Sequence, residues 1–352
     1  MIHSISSPVP KCSLCKVNDA DKSGSHIIPH FLLKLVDSVK GKTGRDIELG
    51  FVIEPFETLS YFGRGVQPEK LEEIFGELSD EEIDDKKNRP FVVENLFCSS
   101  CENKLAIIES EYAKTLETTS EAKYYSGIAS EIGLLFWMSV IWRVSINKKS
   151  GNQLTTEENE ILRRILNRTL TNSIETIDFK SMQESKDLKK VGYKLIRCSN
   201  YTKDSTSAMV FHPGFRKPYT LLIGEYILFF SLKNHFYQYL TEDFFGLKEE
   251  ICEATVNYTN SKESILSIPK ETMNVVYHGI IEKTKNVRLK FMDDFFNKVH
   301  IALQGPGKTM PVEIKNEILV EVTSDEKKPG RRYTNQDLID STYKVLKKYA
   351  PK

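Results

Sequence analysis

Four cysteines fall into two pairs, Cys12/Cys15 and Cys98/Cys101, each with the spacing C-x-x-C. Two such knuckles offer four soft thiolates, the donor set that tetrahedral zinc takes when its role is structural. A redox pair needs only one C-x-x-C in a thioredoxin-like setting, and that setting is missing. The expectation is therefore one Zn²⁺ held by Cys12, Cys15, Cys98 and Cys101. Between the knuckles stands Ser25-His26-Ile27-Ile28-Pro29-His30. An imidazole there has two readings: a proton acceptor working near neutrality, or a hairpin histidine bonded to a neighbouring carbonyl.

The elements that must position these groups follow from local pattern. Pro29 stops a helix from starting early, so His26–Pro29 reads as extended chain with a helical pattern after it. Beyond Cys101, Leu105, Ile108, Tyr112 and Leu116 recur at helix spacing. Knuckle, hairpin, knuckle and helix in that order describe a zinc-stapled treble clef, a ββα-metal arrangement. His26 would then lie beside the first turn of a helix beginning near Glu102, where backbone N–H groups and the helix dipole favour anions. An acidic stretch at about 64–90 is expected to loop out of this module as a solvated helix.

These residues resemble the HNH-type (His-Me finger) endonucleases. Cys12, Cys15, Cys98 and Cys101 match that family's zinc ligands, and His26-Ile27-Ile28-Pro29 matches its catalytic strand. The form SHIIPxFL…CxxCE…WR, with Ser139–Arg143 as a further match, is similar to a bacterial subgroup. The resemblance covers roughly the first third of the chain. It implies phosphodiester hydrolysis of nucleic acid, with DNA placed ahead of RNA but not separated from it by the sequence, with His26 as general base and one Mg²⁺ or Mn²⁺ ion at the scissile phosphate. Two positions depart from the family's pattern. Ser25 stands where an acidic metal ligand is usual, and Glu102 where a histidine follows the last cysteine. A hard cation accepts carboxylate oxygen, so Glu102 is the expected replacement, with Ser25 a poorer candidate ligand and His30 either a compensating ligand or, as expected, a surface residue at the start of its helix. Glu109, two turns on and ~10 Å away, is out of reach of the same ion and is expected either to form a salt bridge or to support the ligands from behind. The family context implies an effector of bacterial anti-phage defence or of restriction. The competing reading is a zinc module that has lost catalysis and binds nucleic acid or a protein partner.

The chain is expected to be α+β throughout, with the treble clef over 1–118, a helical segment over 119–185 and a larger α+β region over 186–352. That last region would select the substrate or sense a trigger, or bind a partner protein or a second copy. It is expected to contain strands at Gly192–Ser199, Ser207–Pro213, Tyr219–Leu232 and Val312–Val322, with a turn at His212–Phe215. A long helix is expected to end near Gln304. The run Gln304–Pro311 looks like a phosphate-binding loop, but it has helix before it and lacks the first glycine, so it reads as a turn. Lys327, Lys328, Arg331 and Arg332 form a basic run that would grip phosphates if it is more than a solvated linker. Cys198 and Cys252 stand alone and are expected in the core.

Lysine plus arginine and aspartate plus glutamate each number 49 in the 352 residues. Net charge thus argues neither for nor against nucleic acid, and any phosphate-binding face must be local. The first residues lack the regions of a secretory leader. The most apolar stretch, beginning at Ile132, meets Arg143 too soon to cross a bilayer. A cytoplasmic location with no membrane partner is expected.

Overall fold

The computed structural model describes residues 9–37, 50–53, 58–61, 79, 83, 91–117, 121–147, 154–205, 209–216, 218–233, 244–259, 261–307, 309–322 and 335–349. The chain is mixed α+β. Most of the acidic stretch at 64–90, and all of Lys327, Lys328, Arg331 and Arg332, lie outside the described residues. No helix among the described residues is long and apolar enough to cross a membrane.

In chain order, β1 (Ser25–His26) leads into α1 (His30–Asp37), and β2 (Gly50–Ile53) and β3 (Thr58–Tyr61) form a hairpin. Then come β4 (Val92–Val93), α2 (Ser99–Tyr112), β5 (Lys123–Ala129), α3 (Ser130–Ile146), α4 (Thr156–Thr169) and α5 (Phe179–Glu184). The sheet-rich part holds β6 (Gly192–Arg197), α6 (Tyr201–Asp204), β7 (Met209–Arg216), β8 (Tyr219–Ile223), β9 (Tyr226–Ser231), α7 (Lys248–Glu253) and β10 (Lys262–Ser267). Three helices complete the described chain: α8 (Lys270–Gln304), α9 (Val312–Val322) and α10 (Asn335–Leu346).

Contacts divide the chain into two units, 1–44 with 90–276, and 45–89 with 277–352. The first unit is built on a six-stranded sheet of order β5-β10-β6-β9-β8-β7, antiparallel except for the β10–β6 pair. Lys123–Ala129 was expected within a helical segment and is instead the edge strand of this sheet. Its buried partner β10 lies more than a hundred residues on, so no local pattern announces it. Because β5 pairs with β10, the segment 119–185 shares a sheet with the region after 186. The expected turn at His212–Phe215 lies inside β7, whose register shifts between Phe211 and Arg216.

Helix α3 is the centre of the first unit. Every residue from Ser130 to Ser145 is buried, as a helix apolar all round must be. The Phe136 ring stacks on Tyr112 at 3.9 Å between centroids and on Phe31 at 5.6 Å, while Trp142 meets Phe97 at 5.8 Å. One helix thus carries α1, α2 and the second knuckle on a single core. Helix α4 begins with a capping box in which Thr155 and Glu158 bond each other's backbone N–H.

A polar cluster crosses this core. Trp137 Nε1 donates to the Tyr112 hydroxyl at 2.9 Å; Tyr112 and Tyr193 donate to Glu263 Oε1 at 3.1 and 2.6 Å. Gly133 of α3 is required here, because a Cβ would collide with the Tyr193 hydroxyl and the Glu263 carboxylate. Burial pushes the Glu263 carboxyl above its ordinary value of 4.5, against the tyrosine bonds that lower it. A carboxyl raised on folding stabilises the native state fully below its unfolded pKa and loses that contribution as pH rises through its folded pKa. Glu263→Gln keeps an oxygen for both tyrosines and cannot ionise. Its melting temperature relative to the wild type should therefore rise as pH is raised above the ordinary carboxyl value of 4.5. A difference independent of pH would contradict this account.

In the second unit, α8, α9 and α10 share a small core of Phe296, Met310, Ile318, Val322, Leu338 and Val345. Val312–Val322, expected as a strand, is helix. Its Val/Glu/Ile alternation suggests a period of two, but Ile314, Ile318 and Val322 recur every four residues and meet this core. The turn expected after Gln304 is present, with Gly305 and Gly307 at φ 87° and 85°. Cys198 is buried, whereas Cys252, expected in the core, is exposed because Ile251 takes the inward position of α7.

Candidate functional site

Cys12, Cys15, Cys98 and Cys101 converge, with their four Sγ atoms all within 4.8 Å of one another. A tetrahedral Zn²⁺ with bonds of about 2.3 Å requires sulfurs about 3.8 Å apart. The Cys15–Cys98 separation is 4.0 Å, so the set fits a metal ion of that size with a small contraction. It is the one group of three or more metal-ligating Cys, His, Asp or Glu side chains among the described residues. Burial pushes the Cys12 and Cys101 thiols up. Burial acts the same way on Cys15, but the Asn18 and Val17 backbone N–H groups bring its thiol down to about 7. A divalent cation would remove the cost of crowding four thiolates.

The loops are shaped for this geometry. Lys16 follows the first pair at φ 62° and Asn95 precedes the second at φ 54°, the left-handed turns that fold a chain back around a centre. Backbone bonds stitch the two knuckles together: Ser13 N–H to Leu96 O at 2.9 Å, Lys22 N–H to Phe97 O at 3.1 Å, and Asn95 N–H to Lys22 O at 3.1 Å. Asn18 Nδ2 donates to Cys98 Sγ at 3.6 Å, which orients the thiolate. Arg163 of α4 donates to Leu14 O at 2.6 Å, holding the first knuckle from outside.

Strand β1 pairs antiparallel with β4, Ser25 opposite Val93 and His26 opposite Val92. The second strand of this pair therefore arrives only after the intervening stretch that includes the β2–β3 hairpin. Helix α2 starts at Ser99, three residues earlier than expected, because the Asp21 carboxylate caps it. Its Oδ1 accepts from the Ser99 N–H at 2.7 Å. Glu102 is thus in the first turn of the helix.

Ser25, fully buried, donates its hydroxyl to Glu102 Oε2 at 3.1 Å. This bond brings the residue beside His26 onto the helix that carries Cys101. Burial pushes the Glu102 carboxyl up; the Ser25 hydrogen bond and the charge of Arg143 oppose it. The His30 ring meets the His26 ring edge-on at 5.8 Å between centroids, and His30 itself is exposed. Glu109 forms its expected ion pair, with Arg143 Nη1 at 2.6 Å. The sequence singled out Arg143 only as the end of a motif. Its position under the site had no signal beyond that match.

A scan against protein-family profiles finds no match to this chain, and searches of curated proteins and of solved structures find none at a significant level. The functional reading therefore rests on these residues and their geometry.

Proposed function

We propose that residues 9–37 and 91–117 form a treble-clef module with a structural zinc, and that this module is a divalent-cation-dependent nuclease of the HNH type. The observation that carries the reading is the Ser25–Glu102 hydrogen bond, which joins the His26 strand to the first turn of the cysteine-bearing helix. His26 would take the proton of the attacking water. Glu102, with the Ser25 hydroxyl beside it, would hold Mg²⁺ or Mn²⁺ through oxygen, the donor these ions prefer. The bound cation would offset charge developing on the phosphate. DNA is the proposed substrate.

The same bond also favours a second reading. A hydroxyl occupies the place of a metal-binding carboxylate and already satisfies one Glu102 oxygen, as it would in a module that only binds. Glu102→Gln decides between them. It keeps the Ser25 contact but loses the charge, so under the nuclease reading the Mn²⁺ needed for half-maximal cleavage should rise by about tenfold or more, the scale of one lost charged ligand. Glu109→Gln should leave that requirement nearly unchanged. Superimposable Mn²⁺ curves for the wild type and Glu102→Gln would remove Glu102 from the site.

A further inference from the structure

Strand β1 is two residues long and pairs with a strand of two residues. So small a ladder does not hold its own orientation, and contacts outside it must do so. One is the Ile27 N–H, which donates to Phe91 O at 2.8 Å. Another is the Ser25 hydroxyl, which bonds Glu102 of α2, and a further one comes from beneath: Arg143 Nη1 donates to His26 O at 3.0 Å. The same nitrogen lies 2.6 Å from Glu109 Oε1, so one atom ties the His26 backbone to α2 two turns beyond the Ser25–Glu102 bond. The rest of the guanidinium is held on its own helix, Nε to Ser139 O at 3.2 Å and Nη2 to Ser139 Oγ at 3.3 Å. The side chain is 2% exposed, in the last turn of the fully packed helix α3. A planar fork with one edge anchored to its own helix and a free corner bridging two elements is a rigid spacer.

We propose that Arg143 is the positioning residue of the site. It fixes the backbone of His26 relative to α2, and so sets the distance from the imidazole to the cation at Glu102. The inference rests on the nuclease reading for its effect on cleavage but not for its effect on His26 itself. A purely structural role would require only that the Glu109 charge be neutralised. The two roles part in the double variant Arg143→Met/Glu109→Gln, which removes both members of the ion pair and leaves neither charge unpaired. In Arg143→Lys an ammonium can still meet Glu109 but loses the two bonds to Ser139 that hold the guanidinium in place, so it is not fixed against the His26 carbonyl.

Three readouts test the proposal: bound zinc with the melting transition, kcat and KM on plasmid DNA, and the ring resonances of His26 by NMR. The double variant should retain zinc and a cooperative melt. Its kcat should fall about 10- to 100-fold, the scale of a misplaced catalytic group, with KM unchanged. Its His26 ring signals should split or broaden. A folded double variant with wild-type kcat and unaltered ring signals would overturn the proposal. If the double variant fails to fold, Arg143→Lys should show the same loss of kcat, and a wild-type kcat there would overturn it. If the wild type itself cleaves nothing, the nuclease reading fails and the ring signals alone decide. A change in the variants then supports positioning by Arg143, and no change refutes it.

Discussion

Cys98→Ser should release zinc and unfold the module around it. A structural zinc site contributes about 10–16 kcal/mol of apparent binding free energy near neutral pH, more than the whole stability of most domains. The four sulfurs are the one such cluster among the described residues, and three of the four cysteines are buried. A hydroxyl in place of one thiolate loses a ligand and leaves the Asn18 amide facing a poorer acceptor. The damage should spread, because Phe97 beside the ligand packs on Trp142 of α3. Zinc per chain should fall well below one, and proteolysis should reach residues around Lys16 and Asn95 first. Full zinc occupancy in a Cys98→Ser/Cys101→Ser variant would exclude the site.

Under the proposed nuclease mechanism, His26→Ala should lose cleavage and little else. Removing a general base lowers the rate by about 10²–10⁴-fold, because it acts in the transition state and hardly contributes to ground-state binding. Contacts that hold β1, from Arg143 to His26 O, from Ile27 N–H to Phe91 O and from the Ser25 hydroxyl to Glu102, do not use the imidazole and survive the substitution. Zinc content, melting temperature and DNA affinity should therefore stay near those of the wild type. Cleavage at the wild-type rate would remove His26 from the mechanism.

What could be read from the sequence was what lies close along it. Each cysteine pair announces itself by spacing, and the helix after Cys101 shows its period in Leu105, Ile108 and Tyr112, all buried as expected. The buried helix at Ser130–Ile146 was legible from its unbroken apolar run. The strand at Lys123–Ala129 was not, because its partner Lys262–Ser267 is distant and only Tyr124 of its seven residues is buried. Val312–Val322 misled because β-branched residues favour strands locally, while the packing that selects a helix comes from α8 and α10. At the candidate site, His26 and Glu102 could be named because both adjoin motifs. The part played by Ser25 could not be read as it stands: a hydroxyl donating to Glu102 depends on three-dimensional approach across 77 positions. Arg143 is separated from His26 by 117 positions, and a buried arginine has no spacing rule that names its partner.

The central claim is that the strand bearing His26 and the helix bearing Glu102 form a cation-dependent nuclease site separate from the four-cysteine cluster. It is tested most directly by incubating zinc-loaded protein with supercoiled plasmid, with Mg²⁺, with Mn²⁺, and with no added metal after a brief EDTA wash that leaves the zinc bound. Nicked and then linear DNA should appear with Mg²⁺ or Mn²⁺ and be absent after the wash, although zinc content is the same in every sample. Intact plasmid under all conditions, or equal cleavage in the washed sample, would contradict the account.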